Sequence, residues 1–96
     1  IENNLERIVH VHFKDVRKEE FNKYDSSSDS FLKTILSGIF TVPGDGCIDF
    51  SSIVKILQQN HYNGWIIVEA EQDPDKADPL HYAISSRNYL NSISIN

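Results

Sequence analysis

The sequence predicts an α/β fold built on parallel strands, and three observations predict it. Two runs rich in β-branched and aromatic residues, 7–15 and 65–71, read as strands. Helical segments separate and follow them, and strand–helix–strand order brings strands together in parallel through right-handed crossovers. Both runs turn polar toward their C-terminal ends, where ligands bind in parallel α/β folds.

The elements follow in order. In the first run, Arg7-Ile8-Val9-His10-Val11-His12-Phe13-Lys14-Asp15, alternation puts His10, His12 and Lys14 on one face and Val9, Val11 and Phe13 on the other. Residues 16–25 are lysine-rich, with Phe21 and Tyr24 at helical spacing, and read as a short exposed helix. After the serine run 26–28, Asp29 or Ser30 caps a second helix whose stripe is Phe31, Leu32, Ile35 and Leu36, and Gly38 ends it. Thr41-Val42-Pro43-Gly44-Asp45-Gly46 is a turn-rich loop. Asp49 or Ser51 caps a third helix that buries Phe50, Ile53, Val54 and Leu57 and stops near Asn60. In the second run, residues 66–68 are apolar on both faces, as in a strand covered on both sides. Asp78 and Pro79 supply the N-cap and first position of a last helix, which reaches about Leu90 and frays over 92–96.

Composition narrows the function. A chain of 96 residues is one small domain or a piece of a larger one. With 40% hydrophobic and 24% charged residues it lacks the signature of disorder. Its apolar runs fall far short of the ~20 residues that span a bilayer, and no leader peptide is visible. A single cysteine, Cys47, excludes an internal disulfide framework and fits a reducing compartment such as the cytoplasm. A net charge of −5 without a basic stripe argues against a nucleic-acid partner. Two parallel strands do not make a covered sheet. That shortfall, the start at Ile1 and the absence of methionine are what a piece of a longer chain would show.

The chemistry-bearing residues gather at the strand ends. His-x-His on a strand sets two imidazoles ~6–7 Å apart at their α-carbons, from a rise of ~3.3 Å per residue. With Glu69 or Glu71 from the other strand they offer the mixed nitrogen and oxygen donors that suit manganese, cobalt, zinc or iron(II) better than calcium or magnesium. Plainer readings stand beside this one. The two glutamates also fit a solvated strand end, and Lys14 and Arg17 also fit surface charges. Gly44-Asp45-Gly46 lacks the spacing and lysine of a phosphate loop and reads as a tight turn. Cys47 reads as a small buried residue, Trp65 as core, and His61 and His81 as surface histidines.

Three segments carry a resemblance: residues 10–17 (His-Val-His-Phe-Lys-Asp-Val-Arg), 40–46 (Phe-Thr-Val-Pro-Gly-Asp-Gly) and 64–74 (Gly-Trp-Ile-Ile-Val-Glu-Ala-Glu-Gln-Asp-Pro). Together they resemble the inosose dehydratase family, within the xylose-isomerase-like superfamily of (β/α)8 TIM barrels. The resemblance covers nearly the whole chain and is to the C-terminal third of that family. It implies that residues 1–96 are the C-terminal part of a single TIM-barrel domain, strands seven and eight with their helices. It implies a divalent metal, manganese or cobalt, at the C-terminal mouth, with His12 as the strand-seven ligand and Glu69 as the strand-eight ligand. The strand-five and strand-six ligands have no counterpart in this chain. His10 would be an outer group supporting the ligands or one that faces the substrate, Lys14 and Arg17 would lie near the substrate, and Glu71 would be an outer carboxylate or a substrate contact. Lys14 or His10 would assist proton transfer or leaving-group departure. The implied reaction is dehydration of a polyol ketone, 2-keto-myo-inositol, to a trihydroxycyclohexane-1,2-dione; the chain on its own, with two strands and two of four ligands, is expected to be inactive and poorly folded. A sugar isomerase or epimerase on the same scaffold and a non-catalytic remnant are the competing expectations. The Glu-Ala-Glu-Gln-Asp-Pro ending favours the dehydratase.

Overall fold

A computed structural model describes residues 1–94. A 3₁₀ segment, Glu2–Arg7, leads into β1 (Val11–Phe13), β2 (Asp15–Val16), α1 (Lys18–Asn22), α2 (Phe31–Leu36), β3 (Phe40–Thr41), α3 (Phe50–Gln59), β4 (Ile66–Val68) and α4 (Pro79–Ile93). The expected caps hold: Ser30 accepts from the Lys33 N–H, Asp49 from Ser52 and Asp78 from Leu80, with Pro79 at the start of α4. Gly38, at φ +85°, takes the left-handed turn that ends α2. The fraying expected over 92–96 falls partly on Ile95 and Asn96, outside the described residues; α4 runs to Ile93.

β1 and β4 pair in parallel, as expected, with Val11 opposite Ile66, His12 opposite Ile67 and Phe13 opposite Val68. Residues opposite one another share a face. One face therefore carries Val11, Phe13, Ile66 and Val68. It packs on α3, where Phe13, Phe50, Val54 and Leu57 form the core and the Phe13 and Phe50 rings lie 4.8 Å apart. Burying each of these side chains contributes about 1.5–3 kcal/mol. The other face carries His12 and Ile67 and is open: Ile67 is 38% exposed. The expectation that residues 66–68 are covered on both sides is thus corrected, because only the α3 face is packed among the described residues. The open face also leaves the chain extended. Its radius of gyration is 14.7 Å, against ~12.5 Å for a compact chain of this length.

Other expectations change too. The first run is two strands, not one: after Phe13 the chain turns so that β2 pairs antiparallel with β3, Asp15 opposite Thr41 and Val16 opposite Phe40. Trp65, expected in the core, and Val9, expected on the face with Val11 and Phe13, are 76% and 81% exposed, since both precede the paired segments of their strands. The α2 stripe is largely exposed at Phe31, Leu32 and Leu36, and the buried residue of that helix is Thr34. Its hydroxyl donates to the Ser30 carbonyl, so its polarity is satisfied within the helix. Cys47 is exposed rather than buried, in the loop that enters α3.

Candidate active site

The open face of β1 and β4 gathers five of the six expected site residues into one chain of contacts. His10 and His12 lie two residues apart on one strand side, and their Nε2 atoms are 3.2 Å apart. His12 Nδ1 lies 3.2 Å from Glu69 Oε2 across the strand pair. Lys14 follows on the same side, with Nζ 3.5 Å from Glu69 Oε1 and in direct contact with Glu71. The Lys14 ammonium also sits over the Phe40 ring, 4.7 Å from its centre, a cation–π contact. The local cause is strand alternation: positions 10, 12 and 14, and 69 and 71, project to one side. The Glu69 N–H donates to the Phe13 carbonyl, which continues the register one residue beyond β4.

The electrostatics fit this geometry. The hydrogen bond from His12, then the Lys14 charge, hold the Glu69 carboxyl below its ordinary value. An ionised Glu69 can only accept, so the 3.2 Å contact is a hydrogen bond donated by His12 Nδ1–H.

His12 and Glu69 offer one nitrogen and one oxygen donor, the mixed set that suits manganese, cobalt or zinc. These two side chains, 3.2 Å apart, are the ones that would hold such an ion, which would supply Lewis-acid chemistry there. Loading would displace the shared proton. No group of three or more histidine, cysteine, aspartate or glutamate side chains is arranged around one metal position among the described residues. Within the described residues, His12 and Glu69 thus form a pair of donors and not a larger cluster.

Arg17, the sixth expected residue, stands apart from the cluster. Its Nη1 donates to the Gly38 and Phe40 carbonyls at 2.8 and 3.3 Å. Its Nη2 donates to Thr41 Oγ1, Asp45 Oδ2 and Tyr82 Oη at 3.1, 2.9 and 3.3 Å. The guanidinium thus ties the β2–β3 pair to the 42–46 loop and to α4. It also lines a cleft of about 320 Å³ with Gln72, Asp73, Lys76 and Tyr82.

Sequence reasoning missed Asp15. It is fully buried. Its Oδ1 accepts from the Val16 and Ile48 N–H groups at 2.8 and 3.0 Å, and its Oδ2 from Gly44 and Gly46 at 3.3 and 3.1 Å. A carboxylate beside Lys14 therefore holds the glycine loop in place through backbone donors alone. The tight turn expected at 44–46 is present, with Gly44 at φ +96° and Asp45 N–H donating to the Val42 carbonyl. Three of the four donors to Asp15 come from 29–33 residues away in sequence, so no local spacing could have flagged it.

Of the two histidines expected at the surface, His61 is exposed at φ 59°, and His81 is exposed with its ring edge-on to Tyr82. Among the described residues, no helix is long and apolar enough to cross a membrane.

Comparison with known proteins places this chain in a family. The chain is 55% identical over 87 residues to the inosose dehydratase of Halalkalibacterium halodurans, covering 91% of this chain and 29% of that protein. It is 49% identical over all 96 residues to the inosose dehydratase of Bacillus licheniformis, covering 32% of it. It is 51% identical over 87 residues to the inosose dehydratase of Lacticaseibacillus casei, covering 91% of this chain and 29% of that protein. The chain thus spans about 30% of the length of these curated relatives. Residues 2–93 match the family model described as a xylose isomerase-like TIM barrel. A match over nearly the whole chain, with paired parallel strands whose polar residues gather on the face away from the helix, means that the chain belongs to the xylose isomerase-like TIM barrel family.

Proposed function

We propose that the chain supplies the seventh and eighth strand–helix units of a (β/α)8 barrel that dehydrates 2-keto-myo-inositol to a trihydroxycyclohexane-1,2-dione with a manganese or cobalt ion. The observation that carries this reading is the continuous cluster His10–His12–Glu69–Lys14–Glu71 on the open face of two paired parallel strands. The open face becomes the barrel interior once the remaining strands close the sheet, and its polar end becomes the mouth where such barrels do chemistry. The names of relatives about 50% identical support the substrate and the reaction class.

In this reading His12 and Glu69 each provide one metal ligand, and the rest of the barrel provides the others. A divalent ion held there supplies Lewis-acid polarisation of the substrate ketone. Dehydration removes a proton from the carbon next to the ketone and hydroxide from the next carbon. His10, at the end of the chain of contacts, takes the α-proton on nitrogen. Two carboxylates and an aromatic face hold the Lys14 ammonium in position, from which it hands a proton to the departing hydroxyl. Glu71 holds that ammonium in place and faces the substrate hydroxyls. Arg17 acts from the flank, by fixing the 42–46 loop and lining the adjoining cleft, where substrate hydroxyls have donors and acceptors in reach.

The test is a chimaeric barrel in which this chain replaces the C-terminal third of the Halalkalibacterium halodurans inosose dehydratase. Dione formation from 2-keto-myo-inositol with manganese or cobalt, lost in Lys14→Ala, is the expected result. A folded chimaera that isomerises ketosugars and forms no dione would assign the site to an isomerase instead.

A further inference from the structure

We propose that Asn63–Gly64 is a site of spontaneous covalent modification, at which the folded chain deamidates through a succinimide. Two residues with a side-chain carboxyl or carboxamide precede a glycine in this chain, Asp45 before Gly46 and Asn63 before Gly64. Glycine has no Cβ to hinder approach of its nitrogen to the preceding side-chain carbonyl. Chemically the two dipeptides are alike, and the fold treats them differently.

At 45–46 both reacting groups are held. The Gly46 N–H donates to Asp15 Oδ2 at 3.1 Å, and the Asp45 carboxylate accepts from Arg17 and Thr41 at 2.9 and 2.7 Å. At 63–64 both residues are exposed and lie between α3 and β4, outside helix and ladder. Neither the Asn63 carboxamide nor the Gly64 N–H has a hydrogen-bond partner among the described residues.

The chemistry needs only water and a solvent base. The Gly64 nitrogen loses its proton and attacks Asn63 Cγ. The new N–Cγ bond forms as the Cγ–Nδ2 bond breaks, and ammonia leaves. Water then opens either imide carbonyl, giving aspartate or isoaspartate at position 63. Isoaspartate routes the main chain through an extra methylene at a point with little slack. A Cβ on Gly64 would meet the Tyr62 hydroxyl at 2.5 Å and the Val9 carbonyl at 3.0 Å. The Tyr62 hydroxyl donates to the Trp65 carbonyl at 2.7 Å. The lengthened chain therefore displaces Trp65 and the entry to β4, the strand that ends in Glu69.

The test, which rests on the barrel reading above, incubates the chimaeric barrel in mildly alkaline buffer, with and without concentrated urea, and assigns products by peptide mass spectrometry. Asn63 is expected to convert in buffer within about threefold of its rate in urea, while isoaspartate at Asp45 forms at least about tenfold more slowly in buffer than in urea. Asn63→Gln should abolish the product at 63. Protection of Asn63 by tenfold or more in buffer would overturn the proposal. So would isomerisation of Asp45 at the same rate in buffer and in urea.

Discussion

Replacing Asp15 by asparagine tests the physical heart of this structure. The Asp15 carboxylate accepts four backbone N–H groups, two on each oxygen, in a site from which water is excluded. Asparagine keeps one acceptor oxygen and turns its NH2 toward two N–H donors. Two bonds to a charged acceptor are then lost, and each such bond is worth about 1.5–3 kcal/mol. The predicted cost is therefore about 3–6 kcal/mol, the sum of those two bonds. Urea unfolding followed by far-ultraviolet circular dichroism measures the loss, and hydrogen exchange locates it. The amides of Gly44, Gly46 and Ile48 should lose protection first, since they are the donors set free. Asp45→Asn is the control, because its ion pair with Arg17 is partly exposed and should cost less than about 1 kcal/mol. If Asp15→Asn falls within about 1 kcal/mol of the parent, the buried carboxylate does not hold the loop and the reasoning fails.

Three further predictions follow from the same contacts. Gly46→Ala places a methyl 2.5 Å from Asp15 Cγ and from the Val16 carbonyl; it should cost about 1–3 kcal/mol or more in urea unfolding. Phe50→Ala removes the ring that packs on Phe13 and should cost about 3–5 kcal/mol by the same method. Glu69 is held below its ordinary value by His12 and then Lys14, so its link to His12 is at full strength above the usual glutamate range and is lost only as pH falls through the lower folded value. A carbon-detected NMR titration of the Glu69 carboxyl should show a midpoint below that of an unstructured glutamate peptide, and His12→Ala should move it upward.

The sequence made the parallel pair, the helix caps and the shared face of the site legible, because each rests on a local signal. Strand alternation alone predicts that His10, His12 and Lys14 face one way, and the contacts among them and Glu69 and Glu71 bear this out. Capping needs only a short polar side chain a few residues before an apolar run, and Ser30, Asp49 and Asp78 supply it. What stayed hidden depends on distant partners. Periodicity says that Phe31, Leu32 and Leu36 form a stripe but not whether anything covers it. Trp65 and Val9 have core composition, yet they lie outside the three-residue pairing of β1 with β4. Asp15 looks like the polar end of a strand, and only the return of the chain at 44–48 makes it a buried anchor. Arg17 shows the same limit: its charge was legible, but its five acceptors come from four separate stretches of chain.

His12 and Glu69 are proposed above to supply two of the ligands of a metal site. The most direct test is metal binding by the chimaeric barrel, followed by cobalt absorption or by titration calorimetry with manganese. The account predicts stoichiometric binding that His12→Ala and Glu69→Gln each weaken at least about tenfold, the scale expected for disturbing even an outer partner of a ligand, while Glu71→Gln binds as the parent does. Binding that survives the loss of both His12 and Glu69 would contradict it.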